Sequence, residues 1–75
     1  MGTATQSAKV RAARIKEIRL NLRLTQRGLA ERLGIDPITV SRWERGETVP
    51  SDLNRVILAR LGGVHPNHLR GEELA

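Results

Sequence analysis

The chain has 75 residues, enough for one small domain with a thin hydrophobic core. It has no cysteine, which excludes disulfide bonds and thiolate metal sites. Its single aromatic residue, Trp43, argues against base stacking on single-stranded nucleic acid.

The formal net charge is +5, and the first 35 residues hold eight of the 13 Lys and Arg but only two of the eight acids. Such a basic surface attracts phosphate, although an ordinary solvated helix face shows the same pattern. No long apolar run predicts a membrane span or a secretory signal, so we expect a cytoplasmic protein with no membrane partner.

The N-terminal part predicts a short arm followed by one helix. Residues 1–8 are small and polar, which is typical of a flexible arm. Helix one is expected from about Ala8 to Leu22, because Ile15, Ile18 and Leu22 repeat on one face. We expect residues 9–70 to form the folded domain and residues 71–75 to form a short tail.

Two further helices with a tight turn between them follow. Thr25 is a suitable N-cap for helix two, Leu29 and Ala30 lie at helical spacing, and Gly34 favours the left-handed backbone just past a helix end. Ala30 is small where the two helices would cross, which allows close packing.

Helix three has a narrow apolar side and a polar, basic side. Asp36 is placed to cap it and Pro37 suits its first position, while Val40 and Trp43 form the buried side and Gly46 ends it. The outward residues are Asp36, Pro37, Ile38, Ser41, Arg42 and Arg45. A helix of this kind suits insertion into the DNA major groove, and the alternative is a charged surface helix of an ordinary bundle.

The sequence after Gly46 predicts a loop and two helices. Ser51 starts helix four, which runs from about Asp52 to Leu61 and is ended by Gly62 and Gly63. Its apolar stripe is predicted to be Leu53, Ile57, Leu58 and Leu61. Val64 is expected to fill the core, and Pro66 to about Leu69 forms a short fifth helix.

Motifs spread over about residues 14–69 resemble the Cro/C1-type helix-turn-helix family, also called the XRE family. They are Leu24-Thr-Gln, Leu29-Ala30, Leu33-Gly-Ile35, Val40-Ser-Arg-Trp-Glu-Arg-Gly46 and Pro50. The resemblance implies an all-α, lambda-repressor-like bundle of about five short helices. Gly28 departs from the family pattern, which usually has a helix-forming residue there. Pro37 and Ile38 depart from the polar base-reading residues of many members.

The resemblance, together with side-chain chemistry, assigns residues to DNA contacts. The expected base contacts are Arg42, Arg45, Ser41, Ile38 and Pro37, with Ile38 packing into the core as the alternative. The expected phosphate contacts are Gln26, Arg27, Thr25, Thr39, Thr48 and Ser51, of which Gln26 and the loop residues rest on the family. For Arg27 the alternative is an ordinary surface arginine. The expected structural residues are Arg19, Glu44, Ala30, Gly34, Val40 and Trp43. The resemblance further implies an Arg19–Glu44 bridge between helices one and three.

These features predict a sequence-specific double-stranded DNA-binding transcription regulator, and repression is the simpler outcome for a minimal domain. The resemblance implies a homodimer reading an inverted repeat, through helix five and the connection before it, with Val64, Leu69 and Leu74 as first candidates. The alternative is an antitoxin that binds a toxin and represses its own operon, a restriction-system controller or a phage repressor.

The sequence gives little evidence for catalysis or metal binding. The chain lacks an acid–base constellation and a glycine-rich phosphate loop, so we expect neither an enzyme nor a cofactor. His65 and His68 are the residues to weigh as metal ligands, but the chain offers too few further ligands, and His65 stands where the family has a helix-capping residue.

Overall fold

A computed structural model describes residues 3–70 of the chain, with side chains from residue 7 onward. Within that range the fold is all-α, as predicted, with four α-helices and one 3-10 turn and no strand. The elements are α1 (Thr3–Asn21), α2 (Gln26–Leu33), α3 (Pro37–Glu44), α4 (Asp52–Gly62) and the 3-10 turn (Pro66–Leu69).

Helix α1 begins at Thr3, five residues before the expected start near Ala8. Residues 3–8, which the sequence analysis placed in a flexible arm, therefore have a helical backbone. The stretch contains alanine and glutamine, which are good helix formers, and no Pro or Gly interrupts it. The remaining arm residues 1–2 and the expected tail 71–75, including Leu74, lie outside the described residues.

The turn between α2 and α3 is built as the sequence predicts. The Gly28 N–H donates to Thr25 Oγ1 at 2.9 Å, which caps α2. Gly34 follows α2 with φ of +70°, in the left-handed region where a glycine is least strained. Asp36 Oδ1 accepts from the Ile38 N–H at 2.9 Å, and Pro37 occupies the first turn of α3. These local contacts fix where α3 starts and therefore which of its side chains face outward.

The hydrophobic core draws on every element of the fold. Its fully or almost fully buried members are Ile15, Ile18, Leu29, Ala30, Val40, Trp43, Leu58, Ala59 and Leu69. The predicted burial of Ile15, Ile18, Val40 and Trp43 is confirmed. Val64 is partly buried against this cluster, as expected for a residue that fills its edge.

The predicted apolar stripe of α4 is wrong at Leu53, whose surface is 69% exposed. The buried face of α4 is centred on Leu58 and Ala59 instead. At 3.6 residues per turn, Leu53 points about 140° away from Leu58, so both cannot enter one core. The alanine was missed because a single methyl gives a weak hydrophobic signal.

Gly62 has a packing role that the sequence analysis did not anticipate. The left-handed backbone after α4 belongs to Gly63, with φ of +68°. Gly62 is instead the last helical residue, and a Cβ atom built there would lie 2.6 Å from Ile18 Cγ1. The absence of a side chain thus lets α4 approach α1 closely.

Candidate nucleic-acid interface

Helix α3 packs into the domain on one side and is open to solvent on the other. Val40 and Trp43 are 0% and 2% exposed, so they hold the helix against the core. The five predicted base-contact residues keep solvent exposure: Ile38, Arg42 and Arg45 are exposed, and Pro37 and Ser41 are half-buried. Ile38 is 46% exposed, which excludes the alternative that it packs into the core.

Arg42 on α3 and Arg45, which caps the end of that helix, differ in their surroundings. Arg42 makes no hydrogen bond or ion pair through its side chain with any residue in the described range 3–70. Arg45 Nε lies 3.1 Å from Glu47 Oε2, and a second guanidinium nitrogen donates to the other carboxylate oxygen at 3.4 Å. Both side chains of this pair are about half exposed. The Glu47 carboxylate therefore competes with any base for Arg45, a contact that sequence reasoning missed because it spans the end of the helix.

Arg19 on α1 and Glu44 on α3 form the bridge that the family resemblance implied. Arg19 Nε donates to Glu44 Oε2 at 2.6 Å and Nη2 donates to Oε1 at 2.9 Å, so the pair is bidentate. The side chains are only 11% and 5% exposed. Hydrogen bonding to Glu44 raises the pKa of the Arg19 guanidinium, which stays charged at all ordinary pH values. A third nitrogen donates to the Leu24 carbonyl at 3.0 Å, so Arg19 also holds the chain before α2.

Gln26 joins this bridge from the first position of α2. Its Nε2 donates to Glu44 Oε1 at 3.1 Å, and since a carboxylate only accepts, the amide nitrogen must face it. Gln26, which is predicted to contact phosphate, thus also has a bond within the protein that its sequence position does not reveal. The amide oxygen and the second amide hydrogen remain for another partner. One glutamate thus fixes α1, the start of α2 and the end of α3 relative to one another.

The other predicted phosphate residues lie at the start of α2, on α3 and in the loop before α4. Thr25 and Ser51 cap α2 and α4, each accepting a backbone N–H at 2.9 and 3.2 Å, so each hydroxyl hydrogen stays available for donation. Arg27 and Thr48 are exposed, and Thr39 is half-buried. Their roles toward DNA remain predictions.

The expected dimer contact needs a correction at Leu69. This side chain is 0% exposed and belongs to the core of the monomer, so it cannot contact a second chain without leaving that core. A 3-10 turn after α4 aims it inward, a direction that its place near the end of the chain did not reveal.

The histidines of the C-terminal turn have structural surroundings. His65 Nδ1 accepts from the Asn67 N–H at 3.1 Å, which is the capping role that the resemblance suggested. The His68 carbonyl accepts from Arg14 Nη1 at 2.8 Å. Across the described residues, no three His, Cys, Asp or Glu side chains come together as a metal site would require. Over the same range, none of the helices combines the length and apolar character needed to cross a membrane.

Comparison with known proteins agrees with this geometry. A family model described as helix-turn-helix matches residues 15–69. The HTH-type transcriptional regulator DicA of Escherichia coli (strain K12) is 44% identical over 48 residues, which cover 64% of this chain and 36% of DicA. Repressor protein C2 of Salmonella phage P22 is 29% identical over 75 residues, which cover 100% of this chain and 32% of C2.

A match to an enzyme is confined to a small part of that enzyme. The type II methyltransferase M1.ScrFI of Lactococcus lactis subsp. cremoris is 42% identical over 55 residues, which cover 69% of this chain but 14% of the methyltransferase. The chain thus spans about a third of the length of DicA and C2 and about a seventh of this enzyme. No solved structure gives a significant match. The family match covers most of the chain, including α2 and α3, so the chain belongs to the Cro/C1-type helix-turn-helix family of DNA-binding transcription regulators.

Proposed function

We propose that the chain is a sequence-specific repressor of transcription that inserts α3 into the DNA major groove. The observation that carries this proposal is the orientation of α3. Its apolar side is buried, the Arg19–Glu44 bridge ties its end to α1, and its polar, basic side meets solvent. A major groove admits an α-helix, and a helix held rigidly by its domain can place side chains against base edges.

Base reading is assigned to side chains of the outward face of α3. Arg42 can donate two parallel hydrogen bonds to O6 and N7 of guanine, and no ion pair with a described residue has to be broken first. Ile38 offers an apolar surface to the methyl group of thymine. Ser41 can serve a base edge or a phosphate, and Pro37 can make only van der Waals contact. Arg45 is the second arginine reader, in competition with Glu47.

Backbone contacts are assigned to the residues around α3. The first turn of α2 has free N–H groups whose partial positive charge favours a phosphate, and Gln26 and Arg27 lie there. Thr39 on α3, and Thr25, Thr48 and Ser51 on the neighbouring segments, supply hydroxyl donors. These contacts would fix the position of the domain on the duplex, while α3 reads the sequence.

Removal of the Arg27 charge should weaken binding to every duplex alike. Because each phosphate contact contributes about 0.9 to the slope of log K against log salt, Arg27→Ala should reduce that slope by about 1. Fluorescence anisotropy with a specific and a random duplex at several salt concentrations measures this. Arg32→Ala, at the other end of α2, is the matched control and should leave the slope nearly unchanged. Equal slopes for the two variants would contradict the assignment of Arg27.

A single α3 covers few base pairs, so we propose that two copies of the chain bind an inverted repeat with half-sites about 34 Å apart. Leu69 is buried, and Val64 is only partly accessible. The most exposed large apolar side chain among the described residues is Leu53, 69% accessible in the first turn of α4. We place the contact with the second copy on the surface around Leu53.

Leu53→Lys is therefore expected to prevent dimer formation without unfolding the domain, since the side chain is exposed. Sedimentation of the protein on a saturated duplex should change from two copies to one. Leu20→Lys, a substitution of another exposed leucine, 54% accessible on α1, should leave two copies. A dimer that survives Leu53→Lys would place the interface elsewhere.

We propose repression, action in the cytoplasm, and no catalytic activity for this chain. A small domain seated on an operator can act by occupying DNA, and two of the relatives are named as a transcriptional regulator and a repressor. The part of the methyltransferase that matches is a minor fraction of that protein.

The experiment that tests the function is selection of bound duplexes from a random pool at near-physiological salt. Enrichment of an inverted repeat is the expected result. Binding without enrichment would show that the basic surface contacts only the backbone, and absence of binding would refute the proposal.

A further inference from the structure

A cleft of about 330 Å³ lies behind the loop that follows α3. Three arginines from three parts of the fold line it: Arg11 from α1, Arg55 from α4 and Arg70 after the 3-10 turn. Val49 and Pro50 of the loop also line it, together with one acidic residue, Asp52. Positive charge therefore exceeds negative charge around the cleft.

Two of these guanidinium groups have shielded donors without a protein partner in the described residues. Arg11 Nε–H and Arg55 Nε–H are both inaccessible to solvent and donate to no acceptor among the described residues. Arg11 is half-buried and forms no ion pair there. Arg55 Nη1 lies 3.3 Å from Asp52 Oδ1, but the Asp52 side chain is 92% exposed, so solvent screens that pair. A guanidinium group shielded from water and without a buried counterion is costly, and an anion in the cleft would offset the charge of both groups and accept from their terminal nitrogens.

The side chains that line the cleft indicate which anion it binds. Guanidinium groups present planar, forked donors that match the oxygen atoms of a phosphate, and they remain charged at any ordinary pH. The buried side chain of Pro50 reduces solvent access at one wall of the cleft, which strengthens the attraction between charges. We infer that the cleft is a phosphate-binding site in which Arg11 and Arg55 are the principal donors.

The position of the cleft points to the DNA backbone as the source of the phosphate. Val49 and Pro50 lie in the same loop as Thr48 and directly before Ser51. A Cβ atom at Gly46, just past α3, would lie 3.6 Å from the Ala8 carbonyl oxygen, so α1 touches the end of α3 one turn before Arg11. A duplex held by α3 would pass close to the loop that follows α3, and this loop forms one wall of the cleft. This assignment rests on the proposed function and adds α1 and α4 to the surface that contacts DNA.

The test compares Arg11→Gln with Arg60→Gln, a matched loss of charge at an exposed arginine of α4 that does not line the cleft. Arg11→Gln should reduce the slope of log K against log salt by about 1, so that affinity changes about three- to fourfold less between 50 and 200 mM salt. Arg60→Gln should follow the unmodified protein. Circular dichroism checks that both variants fold.

A second measurement uses the unmodified protein and does not depend on any variant. The Nε–H signals of Arg11 and Arg55 in nitrogen-15 NMR spectra should shift on addition of one equivalent of duplex, and inorganic phosphate alone should shift them only weakly. Saturation by inorganic phosphate with no effect of duplex would assign the site to a free anion and overturn the inference. Tight duplex binding with unmoved signals and identical slopes for both variants would overturn it while the proposed function stands. Failure of the protein to bind any duplex would overturn both.

Discussion

Replacing Glu44 with alanine is expected to lower the free energy of unfolding by about 3–5 kcal/mol, because it leaves one member of a buried ion pair without its partner. Arg19, whose side chain is 11% exposed, would keep a charge with no counterion. Gln26 would lose the acceptor that it holds at 3.1 Å. A domain of this size has a total stability of roughly 4–11 kcal/mol, so the loss would be a large part of it.

Urea denaturation followed by circular dichroism measures this effect, and Glu47→Ala is the matched control. Glu47 also forms an ion pair with an arginine, but that pair is 52% and 53% exposed. Exposed pairs contribute little, so Glu47→Ala should change stability by less than about 1 kcal/mol. Similar losses of unfolding free energy for the two alanine variants would show that burial does not make the Arg19–Glu44 pair more stabilising than an exposed pair.

A double substitution separates the two causes of the loss. Arg19→Met combined with Glu44→Leu removes both charges and replaces them with apolar side chains of comparable size. This variant should recover much of the stability lost in Glu44→Ala, because desolvated charge without a partner is the main penalty. It should nevertheless bind DNA less well, since α3 would no longer be tied at a fixed angle to α1.

Features set by local chemistry were predictable from the sequence. Thr25, Asp36 and Ser51 are short polar side chains before helical runs, and each accepts a backbone N–H within its own first turn. Gly34 follows the same logic at a helix end. Val40 and Trp43 lie three residues apart on a helix whose other positions are mostly polar. The side of the helix that carries these two residues is therefore the side expected to be buried. The bridge of Arg19 to Glu44 was predictable only through the family, because 25 residues separate the partners.

Features set by packing between distant segments were not predictable. Leu53 and Leu69 have the same side chain, yet one is 69% exposed and the other 0%, since the direction of each depends on how its helix meets the core. Gly62 gives no local sign that Ile18 will lie against it. Arg11 and Arg55 lie 44 positions apart in the sequence, so their meeting in one cleft is visible only in the folded chain.

Arg42→Ala is expected to reduce affinity for the selected operator by about 1–3 kcal/mol, which is about 5- to 150-fold, through loss of a bidentate contact to one base. The selected sequences should lose their preference at a single position of each half-site and keep it elsewhere. Affinity for random duplex should fall much less, since base contacts contribute little to nonspecific binding. Competition binding with operators substituted one base pair at a time measures both quantities.

Arg45→Ala is the variant to compare with Arg42→Ala. Arg45 already has a partner in Glu47, with 3.1 Å between Nε and Oε2, so a base contact must compete with that carboxylate. The loss on Arg45→Ala should therefore be smaller than on Arg42→Ala. Glu47→Ala should raise affinity for all duplexes, because it removes a negative charge and releases Arg45. If Arg42→Ala weakened operator and random duplex in equal proportion, Arg42 would be a phosphate contact, and base reading would have to come from the other outward side chains of α3.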